Sequence, residues 1–105
     1  MPSTVLLGPS LVREFVNHVI SNREYYSYNV KYRNHVVFDN RHFYEYLRMR
    51  GVDVEKPRAS VLFASYILST LDVLKERGVV KEYWSEKGSK KMPMRIHVII
   101  AEGDA

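Results

Sequence analysis

Residues 79–100 read VVKEYWSEKGSKKMPMRIHVII, two β-favouring apolar runs separated by a turn dense in lysine. Directly before them stands the longest apolar helical pattern in the chain, opened by Pro57 and stopped at Gly78. A long helix that runs straight into a hairpin leaves few arrangements. A lone hairpin is marginal in water, so the segments before it must supply what it buries a face against. The return strand identifies that face. Met94, Ile96, Val98 and Ile100 alternate with Arg95, His97 and Ile99, which predicts one buried side and one wet or semi-wet side.

The segments upstream supply the helical layer. Gly8-Pro9 opens a first helix, expected over 9–23, in which Leu11, Phe15, Val19 and Val12, Val16, Ile20 recur at spacings of three and four. EYYSYNVKYRN follows, rich in tyrosine and cations, with Tyr26, Tyr28, Val30 and Tyr32 alternating as in extended chain. HVVF at 35–38 reads as a brief strand. Asp39 can cap a second helix carrying Phe43, Tyr46, Leu47 and Arg50, which Gly51 ends. The tail AEGDA is expected to fray.

Composition fits one domain spanning 1–105 with its core at 9–100: 105 residues, 46% hydrophobic and 27% charged. The net charge of +4 favours an acidic partner. No run approaches a bilayer span, and MPSTVLLGPS lacks the pattern of a secretion signal, so the expectation is a cytoplasmic protein without a membrane partner. Cysteine and glutamine are absent, which suggests a thermophile source, although five asparagines argue against it.

Taken in order, the chain is helix, short strand, helix, helix, strand, turn, strand. LDVLKERGVVKEYW, followed by a basic turn and RIHVII, resembles the end of a winged helix-turn-helix domain. Leu71, Leu74, Gly78, Val79 and Val80 stand where that superfamily has its apolar residues, helix-ending glycine and first wing strand. The resemblance implies an α+β fold of three helices with a C-terminal β-hairpin wing and a short additional strand. It also implies double-stranded DNA as partner, with the third helix in the major groove and the wing on phosphate or in the minor groove. Many such domains act as homodimers. This wing carries Lys-Gly-Ser-Lys-Lys where regulators of the multiple-antibiotic-resistance type carry an Asp-x-Arg pair.

Candidate contacts follow. In the wing, Lys87, Lys90, Lys91 and Arg95 can each neutralise a phosphate; the plainer alternative is a soluble turn that guards a sheet edge. In the first half of the third helix the groove-facing candidates are Arg58, Ser65 and Ser69, on a stripe with Leu62, Asp72 and Glu76, and Lys56 stands just before it. Asp72 and Glu76 would repel phosphate, so only the N-terminal half can dock. The rest of this helix is too apolar for an ordinary surface helix, which suggests cover on several sides, and it can equally be scaffold or a protein-interaction surface. The tyrosine segment has three readings: stacking on single-stranded bases, a dimer interface, or packing on the flank. Tyr83 and Trp84 are expected to pack under the wing.

Enzymatic chemistry finds no foothold. Without cysteine there is neither thiolate chemistry nor a sulfur-bound zinc site. His18, His35, His42 and His97 form no H-x-x-x-H or H-E-x-x-H pair, Ser89 makes no nucleophile elbow, and GSKK lacks the leading glycine of a P-loop. The expectation is a non-enzymatic protein with no metal, no cofactor and no small-molecule ligand.

Overall fold

A computed structural model describes residues 8–29 and 31–101. Its elements in chain order are α1 (Pro9–Ser21), α2 (Arg23–Tyr26), β1 (Ser27–Asn29), β2 (Tyr32–Phe38), α3 (Asn40–Met49), α4 (Lys56–Glu76), β3 (Val80–Glu86) and β4 (Arg95–Ile100). The fold is α+β, with four helices and one antiparallel sheet of order β1-β2-β4-β3.

Local chemistry explains most boundaries. Pro9 sits in the first turn of α1, where its missing N–H is no loss. Asp39 caps α3: its Oδ1 accepts from the Arg41 N–H at 2.8 Å, and its own N–H donates to His42 Nδ1 at 3.0 Å, closing a capping box. Gly51 and Gly78 follow α3 and α4 with φ of 75° and 79°, the left-handed conformation that glycine takes without strain.

The core lies between the sheet and the helices. Val36 and Phe38 of β2, Ile96, Val98 and Ile100 of β4, and Val80 of β3 face it from the sheet. Phe15 of α1 is its centre, meeting Phe38, Phe43 and Phe63 edge-on at 5.3, 5.4 and 6.2 Å. Edge-to-face geometry suits the charge distribution of the rings and adds to area burial.

The structure departs from expectation around the tyrosine segment. The described residues form four helices rather than three, because Arg23–Tyr26 makes a helical turn that delivers the Tyr26 ring edge-on to Phe15. The short strand at 35–38 is part of a longer one, Tyr32–Phe38, paired on both sides. Local alternation could not show this, since both neighbours are set by tertiary pairing. Val30 and the AEGDA residues 102–105 lie outside the described residues, as do residues 1–7. On α4, Leu62, which shares the stripe from Arg58 to Glu76, is buried in the core. On β4, His97 belongs to the supposed wet face, yet it is only 5% exposed.

Candidate nucleic-acid interface

The loop between β3 and β4 is built to project its lysines. Ser89 and Met92 exchange backbone bonds, with Ser89 N–H donating to Met92 O at 2.8 Å and Met92 N–H to Ser89 O at 3.3 Å. Lys90 and Lys91 therefore occupy the two central positions of a tight turn and form its exposed tip. Gly88 makes the close crossing beneath it. A Cβ there would stand 2.5 Å from Met92 O and 2.7 Å from Met94 N, both backbone atoms that cannot swing aside. Lys87, Lys90 and Lys91 are exposed, and among the described residues no carboxylate lies within ion-pairing distance of them.

Arg95 behaves differently. Its Nη2 is 2.7 Å from Glu86 Oε1, so it pairs across the base of the hairpin and its charge is largely answered there. Hydrogen bonds from His97 and then Arg95 hold the Glu86 carboxyl below the usual carboxylate range.

The helical candidates sit at the same end of the molecule. Phe38 and Ile96 are paired next to the hairpin base. Two residues beyond Phe38, Asn40 Nδ2 donates to Ser60 Oγ of α4 at 2.7 Å. This bond ties the first turns of α4 to the end of β2, close in the fold to where β4 leaves the wing. Arg58 is exposed there, without a carboxylate partner among the described residues, and Lys56 lies 5.5 Å over the Tyr44 ring. Ser65 is exposed further along. Ser69 is exposed too, but its hydroxyl donates back to Tyr66 O at 3.2 Å, which occupies its proton within the helix. Val61, 64% exposed, and Leu68, 43% exposed, share this outer surface of α4.

A second cluster had no signal in the sequence. On the sheet face opposite the core, His35 Nε2 lies 3.0 Å from His97 Nδ1, and His97 Nε2 lies 2.8 Å from Glu86 Oε1. The carboxylate end orients the chain: His97 donates to Glu86 and accepts from His35, so both rings are held as Nε2–H tautomers. Two larger rings flank the pair. Trp84 stacks on His97 at 5.0 Å and 6°, and Tyr28 stacks on His35 at 4.6 Å and 22°. Trp84 thus lies over the outer sheet face, while its neighbour Tyr83 turns toward the helices and donates to Asp72, a bond that raises its phenol to about 12. The four rings come from four strands, and the two bonded imidazoles alone are 62 positions apart in the chain. Only the cross-strand register Trp84↔His97, with β2 beside it, assembles them.

The tyrosines divide by role. Tyr26 packs in the core, Tyr28 belongs to the ring cluster, and Tyr25 and Tyr32 stand exposed. An open groove of about 620 Å³ lies beside Tyr25 and Tyr26, bordered by His18, Arg41 and Met49. No helix among the described residues is long and apolar enough to cross a membrane. The chain matches no known family, no curated protein and no solved structure.

Proposed function

We propose that the chain is a winged helix-turn-helix protein that binds double-stranded DNA, as a homodimer acting in transcription or on chromatin in the cytoplasm. The element order and the strand order β2-β4-β3, with α3 and α4 leading into the hairpin, support the fold assignment. The observation that carries the function is the hairpin tip. Lys87, Lys90 and Lys91 are exposed and unpaired among the described residues, at the same end as Lys56 and Arg58. Three such ammonium groups suit a phosphate backbone, each displacing a counterion. The first half of α4 would enter the major groove, where Arg58 can reach a guanine edge or a phosphate and Ser65 a base edge. Arg95 serves mainly to brace the hairpin through Glu86. Homodimer formation draws on the exposed Tyr25 and Tyr32, a residue type enriched at interfaces.

The test is charge reversal of Lys87, Lys90 and Lys91 to glutamate. Duplex affinity should fall by at least tenfold at moderate salt, read by fluorescence anisotropy with a labelled mixed-sequence duplex. Unchanged affinity would remove the wing from the interface.

A second reading has its own observation. Val61 and Leu68 are exposed on α4 near Asp72 and Glu76, a surface suited to an apolar protein partner. A protein-interaction module of this kind would barely respond to the lysine reversals and would not bind duplex DNA.

A further inference from the structure

The outer face of the sheet carries the ring cluster, and no helix among the described residues covers it, because the helical layer packs on the other side. We propose that this face is a separate binding site for single-stranded nucleic acid, with bases stacking on Tyr28 and Trp84. The inference does not rest on the duplex reading, which uses the wing tip and α4 and shares only Lys87 with it.

Three observations carry it. The first is exposure of large rings on a rigid base. Trp84 is 42% exposed and Tyr28 51% exposed, yet each is held from behind by a stacked imidazole. The two imidazoles are bonded to each other and to Glu86, so the outer rings cannot collapse inward. Aromatic platforms presented in this way accept any base, since every base has a π-face.

The second is charge. Lys31 and Arg33 stand exposed beside the cluster, with no carboxylate in ion-pairing distance among the described residues. They border a groove of about 540 Å³ that reaches His35 and Ile99. At the opposite end of the sheet Lys87 follows Glu86 into the wing. A polynucleotide running along the central strands would meet a cation at each end and rings between them. The exposed carboxylates of β3 are already engaged, Glu82 by Lys75 and Glu86 by Arg95 and His97.

The third is economy of burial. A cluster that served only to cover the sheet would bury its largest rings and leave the small polar ones at the rim. Here the order is reversed, with His97 buried and Trp84 and Tyr28 exposed.

Trp84 is the only tryptophan in the chain, so its fluorescence reports this site alone. The unmodified protein is titrated with the oligonucleotides dT12 and rU12 at low salt. Saturable quenching of Trp84 is expected, and the stronger of the two titrations tells whether the natural strand is DNA or RNA. Tyr28→Ala should weaken binding of a labelled oligonucleotide by roughly five- to hundredfold, the range for loss of one stacked base, while Tyr28→Phe keeps it. Circular dichroism of each variant checks folding, and duplex affinity of Tyr28→Ala should stay at the wild-type value. Absence of quenching by both oligonucleotides would overturn the proposal. So would single-strand affinity that Tyr28→Ala leaves intact in a folded protein, or that reversal of Lys90 and Lys91 alone abolishes.

Discussion

Single residues show how polar groups are made compatible with this small core. Asp39 is almost fully buried, and burial by itself favours its neutral form. The contacts with His42 and with Arg41, whose guanidinium bonds both carboxyl oxygens at 3.2 and 2.7 Å, overcome that and hold the carboxyl well below the usual range. A depressed folded-state value means that the stabilisation is complete above the unfolded value of about 4 and is lost as pH falls through the folded value. Asp39→Ala should lower stability by about 1–2 kcal/mol in urea denaturation at pH 7, and Asp39→Asn, which keeps a capping acceptor, by less. Equal losses in the two variants would show that the cap is not what Asp39 supplies.

His35 acts near neutrality. Burial, and secondly the neighbouring His97, lower its affinity for a proton below the ordinary value of 6.5. The folded state therefore prefers the neutral ring. Its contribution is present above pH 6.5 and declines as pH falls toward the lower folded value. His97, Tyr28 and Trp84 surround the ring, and Glu86 and Arg95 lie beyond His97. The urea midpoint should drop between pH 7 and pH 5, and the drop should shrink in His35→Asn. An identical pH profile in that variant would contradict the assignment.

At the scale of elements, the hairpin and α4 differ in what specifies them. The wing depends on one close backbone crossing at Gly88, where an added methyl would press on Met92 O and Met94 N. Gly88→Ala should cost about 1–3 kcal/mol, as overpacking does, and displace the Lys90–Lys91 tip, lowering duplex affinity. Thermal denaturation and anisotropy read the two effects, and an unaltered melting temperature would mean that the loop readily reshapes. The helices were legible in the sequence because their signals are local. The three-and-four spacing of α1, the Asp39 cap, and Gly51 and Gly78 all act within a turn or two of their own position. The return strand was legible for the same reason, by its alternation. The helical turn Arg23–Tyr26 was not, because its reason for existing is the distant Phe15. Nor was His42's share of the capping box, a place where glutamate or glutamine is the usual signal.

The described residues form a helical layer on one side of a four-stranded sheet, and none of the described helices lies on the other side. Its two candidate surfaces differ in how far a sequence can announce them. The lysine tip is contiguous, and reading Lys87, Lys90 and Lys91 along the chain was enough to suspect it. The ring cluster joins Tyr28, His35, Trp84 and His97 only through strand pairing, so four scattered residues carried no spacing to read. Arg95 shows the limit from the other side. It counted as a wing cation in the sequence, and only the cross-strand pair with Glu86 reveals where its charge goes.

The central claim is that the wing meets the phosphate backbone of duplex DNA. Anisotropy titrations of a labelled duplex across a series of salt concentrations test it most directly, on the wild-type chain and on the Lys87→Glu, Lys90→Glu, Lys91→Glu variant. The account predicts a steep negative slope of log affinity against log salt, made shallower by about 3 in the variant, close to one phosphate per lysine. No duplex binding at low salt, or the same slope in both proteins, would contradict it.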